Sequence, residues 1–452
     1  STPIVTSKGT NNSHLGNKTF PAWEQNIPTL GINSPQGADS ESVGSELAVR
    51  SVRTDSGTYF RLVDGKNCGD KERMFLVAQA NHTAKVYYTN VEQEDFEKIP
   101  RCPIGYWVSE HSINQFSINT IGNDSIARSG FSTGNNDVYI RNWHEVSFSK
   151  IKFHSSTIDE YQNSQSTYIP FTAGGSFRRW YGNLFCVVNW TDTSKMHRPR
   201  TTYSDLYCRE GVTWNEVTTD SFSCRIYPKG LLFEHSGVSL FPNNEDDIYN
   251  FTGFLNTKVL AYYLRLLNPT LHNGAEVVAK VPYVFSGNEV ITDTVKNNFC
   301  ISKADWDSHE TSWEFKANPL IALCNQYKGE GCQAASYRIE NFEKEFETRW
   351  EGYFDEIHQN EEELNRQFIE IYGLQDELTP DVPKDEITIL QQGEISIEDN
   401  EVVWHRDVLM KQFLSYAVGC MMGRYSIDKP GLILANQGDG IAQYNELVPN
   451  SR

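Results

Sequence analysis

Two adjacent arginines followed by two aromatics, Arg178-Arg179-Trp180-Tyr181, are the residues best suited to chemistry on a polyanion. A guanidinium can grip phosphate or read the N7/O6 edge of guanine through two parallel hydrogen bonds, and aromatic rings wedge or stack beside a distorted base step. The same residues fit a surface arginine pair beside core aromatics, and the sequence leaves both readings open. Lys195, His197, Arg198 and Arg200 fall in a stretch that reads as a loop, either contacting phosphate or simply solvated. Arg225 and Lys229 flank the end of a strand-like run and carry the same two readings. Gly134-Asn135-Asn136-Asp137 either brings amides to DNA or makes a tight turn.

A second cluster has the residue types of a metal-dependent nuclease. Asp305, Asp307, His309 and Glu310 precede Glu314-Phe315-Lys316, and paired carboxylates with a lysine can hold Mg²⁺ and assist water attack. Such pairs are common in acidic chains, so the favoured reading is helix capping, with Trp306 and Trp313 packing inward. The nine cysteines include no Cys-x-x-Cys pair, which speaks against zinc and against a disulfide framework. Thiols in a reducing cytoplasm are the simplest account, and no catalytic Ser/His/Asp or Cys/His set stands out.

The elements that must position these residues follow from composition and periodicity. A chain of 452 residues suffices for two or three domains, and 12% aromatic content indicates globular material. No run approaches the roughly 18 apolar residues of a membrane span. The net charge of −19 is uneven: residues 301–452 hold 13 Lys/Arg against 29 Asp/Glu, whereas residues 125–200 hold nine against five. A phosphate-facing surface therefore fits the middle of the chain and not its end.

Residues 1–48, rich in Ser, Thr, Asn, Gly and Pro, read as loop or linker. Short runs at 58–63, 74–79 and 85–89 read as antiparallel strands, and a helix is expected from Pro103 through Ile113. From Gly130 to Tyr283 aromatic-rich strands alternate with turns, including 184–190, 223–227, 231–234 and 237–241. One helix over 254–266 interrupts them, stopped by Asn268-Pro269. Beyond about 290 the pattern is helical. Ile339, Phe342, Phe346, Trp350, Tyr353, Ile357, Leu364, Phe368 and Ile371 trace one face of a long helix or a broken pair ending at Gly373. A second helix runs from Asp407 to about Gly423.

Five segments, taken in order, resemble the PglX family (also called BrxX), the adenine-specific DNA methyltransferases of BREX phage-defence systems. They are Gly130–Asp137 with Trp143–Val146; Gly174–Asn183 with Val188–Trp190; Gly253–Val259 running to Asn268-Pro269-Thr270 and Val281-Pro282; Asp305–Ser308 with Glu310–Trp313; and Leu364–Arg366 to Tyr372–Leu374 with Ser415–Cys420 and Gly423–Tyr425. They cover roughly residues 100–435. The third is also similar to a helix of type I restriction specificity subunits.

The resemblance implies a modular enzyme that moves a methyl group from S-adenosylmethionine to an adenine flipped out of the duplex. In such enzymes an Asn/Asp-Pro-Pro-aromatic motif receives the base. This sequence contains no Pro-Pro pair; Asn268-Pro269-Thr270 and Asn318-Pro319-Leu320 lack the second proline and the ring. The expectation is therefore an α+β chain with no catalytic, cofactor or metal residues of its own, and with the methyltransferase core on sequence upstream of Ser1. Residues 1–103 would link to that core, 104–287 would form a mostly β target-recognition domain with one or two helices, and 288–452 an acidic helical domain. Expected partners are double-stranded DNA, the methyltransferase core and other BREX proteins docking on the acidic domain. The alternative is a separate, non-enzymatic DNA-specificity subunit like those of type I restriction–modification systems.

Overall fold

The computed structural model describes residues 56–449, except 83–85, 93, 219–220, 269 and 330–337. The expected linker over 1–48 and the proline expected to stop a helix at 269 lie outside the described residues, as does the start of the strand expected at 85–89. The chain begins with a hairpin of β1 (Ser56–Phe60) and β2 (Tyr87–Glu92), between which α1 (Cys68–Ala80) is inserted. The strand expected at 74–79 is thus part of a helix. The Asn67 side chain accepts from the Asp70 amide at 3.0 Å, and this cap commits the following helix-forming run. The helix expected from Pro103 is also corrected. Residues 103–109 are not helical, with a turn at 106–107, and only Glu110–Gln115 is helical, started by the Ser109 hydroxyl that accepts from the Ser112 amide.

Eight strands follow: β3 (Ser125–Arg128), β4 (Ile140–Asn142), β5 (Tyr168–Thr172), β6 (Cys186–Asn189), β7 (Gly211–Asn215), β8 (Cys224–Tyr227), β9 (Leu232–Phe233) and β10 (Gly237–Pro242). They form an antiparallel sheet of order β3-β10-β7-β8 and a second sheet of order β4-β6-β5-β9, in which β5 and β9 run parallel. Every residue of β10 is buried, as its unbroken run Gly-Val-Ser-Leu-Phe-Pro requires of a strand covered on both faces. Val238 and Leu240 enter one core while Phe241 enters another, following the two-residue period. The same alternation in β8 directs Cys224 and Ile226 to the first core and turns Arg225 the opposite way.

Two helices stand where one was expected over 254–266: α2 (Ile248–Leu255) and α3 (Lys258–Leu267). The break is chemical. Thr257 caps α3, and the Asn256 side chain pairs with both backbone groups of Cys224 at 2.9 and 3.1 Å. After α4 (Glu289–Asp307) and α5 (Pro319–Gly329), the apolar stripe from 339 proves to be one 33-residue helix, α6 (Ile339–Ile371). Leu364, Phe368 and Ile369 of α6 share a core with α2, α3 and the first sheet, whereas Phe342, Phe346, Trp350 and Ile357 belong to a separate one. Gly373, at φ +62°, ends it in a left-handed turn.

The helical last third contains one feature absent from the sequence reading, a hairpin of β11 (Ile395–Glu398) and β12 (Glu401–Trp404) before α7 (Arg406–Met421). Asp399 and Asn400 both take positive φ, the geometry of a tight two-residue hairpin turn. The α+β class expected from the sequence holds.

Candidate nucleic-acid interface

The segment Arg178–Tyr181 runs beside β8. The Trp180 amide donates to the Cys224 carbonyl at 3.0 Å, and the Ile226 amide donates to the Trp180 carbonyl at 2.9 Å. This pairing holds Trp180 at φ +69°, a conformation a bulky residue adopts only when its surroundings enforce it. The indole Nε1 donates to Glu361 of α6 at 2.7 Å. Arg179 reaches the other Glu361 oxygen and Glu386, each at 2.5 Å. Arg178 meets Asp305 of α4 at 3.2 Å, and its guanidinium lies over the Trp306 ring at 5.1 Å. Arg225 donates to the Ala173 carbonyl at 2.9 Å between the two sheets.

All five side chains are interior: Arg178 is 4% exposed, Arg179 6%, Arg225 0%, Trp180 1% and Tyr181 3%. The structure thus places Arg178, Arg179, Trp180, Tyr181 and Arg225, expected from the sequence at a DNA surface, in the interior, where Arg178, Arg179 and Trp180 tie the β-rich segment to α4 and α6. Burial brings the Arg225 guanidinium down to about 10, which still leaves it charged at neutral pH. For Arg179 burial pulls the same way, but Glu361 and Glu386 outweigh it and raise its pKa.

The remaining candidates behave differently. Ser132 and Arg198 form an antiparallel bridge, with amide-to-carbonyl bonds of 2.8 and 2.9 Å, and the His197 amide donates to the Thr133 carbonyl at 3.1 Å. The Gly134–Asn136 turn and the loop around Lys195, His197 and Arg198 are thereby joined, although about 60 residues separate them in sequence. Asn135, Asn136, Lys195, His197 and Arg198 are all exposed. Arg200, left-handed at φ +52°, is half-buried with its guanidinium 5.7 Å from the Tyr203 ring. The Thr133 hydroxyl accepts from the Asn135 amide at 3.2 Å and donates to the Asn136 side chain, which sets the turn.

Gly134 has φ +73°, and a Cβ there would lie 2.8 Å from the His197 Cβ. Gly134→Ala is accordingly expected to cost about 1–3 kcal/mol, read as a lower urea midpoint at unchanged slope. An unchanged midpoint would mean the two loops are not packed as described. Arg141, not singled out from the sequence, closes the same turn from below by donating to the Asp137 carbonyl at 2.7 Å.

Lys229 is exposed but paired with Glu245 at 3.4 Å, which also faces Arg209 at 3.6 Å. The acidic cluster near 305 does not converge. Asp305 faces Arg178, Asp307 faces Lys303 and Ser312, His309 faces Glu394, and Glu310 faces Ser415. Among the described residues no group of three or more His, Cys, Asp or Glu is placed to hold a metal ion, and no helix is long and apolar enough to cross a membrane.

No family model matches the chain. Over 408 residues it is 35% identical to the adenine-specific methyltransferase PglX of Lacticaseibacillus casei (strain Zhang), a match covering 87% of this chain and 32% of that protein. Over 392 residues it is 32% identical to the adenine-specific methyltransferase BrxX of Escherichia coli O9:H4 (strain HS), covering 84% of this chain and 30% of that protein. The chain thus spans about a third of the length of the curated relatives it matches, and it is similar to one part of the adenine-specific methyltransferases PglX and BrxX.

Proposed function

We propose that this chain is the site-selecting part of an adenine-specific DNA methyltransferase acting in BREX phage defence, and that it meets duplex DNA through the joined loops 133–137 and 195–200. The observation that carries the reading is the pairing of Ser132 with Arg198, which gathers exposed amides and cations on one edge. Asparagine side chains can donate to and accept from base edges, while lysine and arginine anchor phosphates. The similarity to PglX and BrxX supports the substrate class. Methyl transfer belongs to residues outside this chain, in keeping with its lack of any Pro-Pro pair. Purified chain mixed with tritiated S-adenosylmethionine and duplex DNA is expected to leave the DNA unlabelled, and label transfer would refute that assignment.

The decisive experiment on the surface is fluorescence anisotropy of a labelled host-sequence duplex across a salt series. Lys195→Ala with Arg198→Ala is expected to weaken binding similarly for all sequences and to reduce the salt slope by about 2. Asn135→Ala with Asn136→Ala is expected to narrow the gap between cognate and random duplex. Unchanged affinity and slope in the lysine–arginine variant would sink the reading.

A further inference from the structure

A cleft of about 760 Å³ opens between the N-terminal hairpin region and α3, on residues that the DNA reading leaves unused. Its walls include Arg61, Tyr106, Trp107, Lys258, Tyr262 and Arg265. Arg61, Lys258 and Arg265 make no ion pair with any described residue. The carboxylates lining it are Glu377 and Glu386, and Glu386 shares the Arg179 guanidinium with the buried Glu361. The Arg179–Glu361–Glu386 group carries one net negative charge, so Arg61, Lys258 and Arg265 set against it and Glu377 leave an excess of one positive charge around the cleft.

The aromatic wall is held firmly. Tyr106 stacks on Tyr59 with ring centroids 4.7 Å apart, meets Tyr88 edge-on at 5.5 Å, and donates its hydroxyl to the Phe60 carbonyl at 3.2 Å. The Arg61 guanidinium lies 4.8 Å from the Trp107 ring centre, so cation and π-face are presented together. Lys258 and Arg265 lie seven residues apart on α3, hence on one face, opposite the buried Val259, Leu260 and Tyr263. The volume is that of a small-molecule site.

Unpaired cations beside fixed aromatic rings recognise an anion that carries a planar ring system. We infer that the cleft binds a nucleotide, with its phosphate on Lys258 and Arg265 and its base against Trp107 and Arg61. The nucleotide is either free or an unstacked unit of a single strand, since both present the same phosphate and base. The site is separate from the loop surface proposed for duplex recognition, and the two ideas stand or fall independently.

Isothermal titration of the full chain with adenosine monophosphate, inorganic phosphate and a six-nucleotide single-stranded DNA tests this. Saturable binding is expected for adenosine monophosphate or the oligonucleotide, weakened about tenfold or more by Lys258→Gln with Arg265→Gln and unaffected by Lys195→Ala with Arg198→Ala. Binding of both ligands indicates a free nucleotide, and binding of the oligonucleotide alone indicates the strand. Arg61→Gln, at a half-buried residue that belongs to no helix, gives a second reading should the double variant lose its cooperative melt. Absence of binding, affinity for inorganic phosphate equal to that for the nucleotide, or indifference to the cleft variants overturns the inference.

Discussion

Arg179→Ala is expected to lower the unfolding free energy by about 3–5 kcal/mol, because it strands a buried carboxylate without its counter-charge. Glu361 would keep its bond from the Trp180 indole at 2.7 Å but lose the guanidinium at 2.5 Å, and Glu386 would keep the Ser221 hydroxyl at 3.2 Å but lose its counter-charge. Urea denaturation followed by tryptophan fluorescence measures the loss. Arg198→Ala, on the exposed loop, serves as the comparison and is expected to stay within about 0.5 kcal/mol of the parent. Removing both charges, as in Arg179→Met with Glu361→Leu, is expected to recover part of the lost stability, since an apolar replacement leaves no unpaired ion. The experiment also separates the two readings of the arginine pair. If Arg179→Ala instead melted normally and abolished duplex binding, the guanidinium would have to face DNA and the interior placement would be wrong.

The second large effect is expected at His309. Its Nε2 lies 2.6 Å from Glu394 and its Nδ1 lies 2.7 Å from the Asp305 carbonyl, so both ring nitrogens face acceptors. Only the doubly protonated imidazolium can donate in both directions. Burial opposes the charge, but the bond to Glu394 and the nearby carboxylates of Asp305 and Glu394 outweigh it, raising the histidine above its ordinary value. Glu394 is held below its ordinary value against burial, through His309 and through the Gln412 side chain at 2.6 Å. A raised histidine contributes stability that is complete below its unfolded pKa near 6.5 and is lost as pH rises through the higher folded value. A depressed carboxylate contributes stability that is present above its unfolded pKa near 4.5 and is lost as pH falls through the lower folded value.

Stability should therefore decline on the alkaline side of 6.5 more steeply in the parent than in His309→Gln. That variant is expected to be destabilised by about 3–5 kcal/mol near pH 6, because Glu394 is then buried without a cation. Thermal melts from pH 5 to 9 check both statements. Parallel pH profiles for parent and variant would show that the histidine is neutral.

Several features were legible because their causes are local. The stripe from Phe342 to Phe368 repeats at three- and four-residue spacing, so one buried helical face follows from the order of residues. Gly373 marks its end because a left-handed residue there is inexpensive only for glycine. The run over 237–241 reads as a strand for the same kind of reason, and its burial on both faces came only with the structure. The hairpin around Asp399-Asn400 was equally local: Ile395, Ile397 and Val402 alternate with polar residues about a two-residue turn, and the helical pattern on either side masked it. Lys258 and Arg265 also carried a signal in their seven-residue spacing on an amphipathic helix.

Other features depended on partners far along the chain. Arg178 and Arg179 have the same composition as a DNA-reading pair, and nothing near them distinguishes the two uses; Asp305 lies 127 residues away and Glu361 182. Asn135 and Arg198 gave no hint of sharing a surface until the Ser132–Arg198 bridge joined their loops. The sequence by itself determined the α+β class, the acidic helical end, the resemblance to one part of a methyltransferase family and the types of residue available for DNA. Tertiary structure decided which of those cations reach solvent. A charge's role is set by the nearest opposite charge and by access to water, and both are properties of space that neighbouring positions along a chain do not encode.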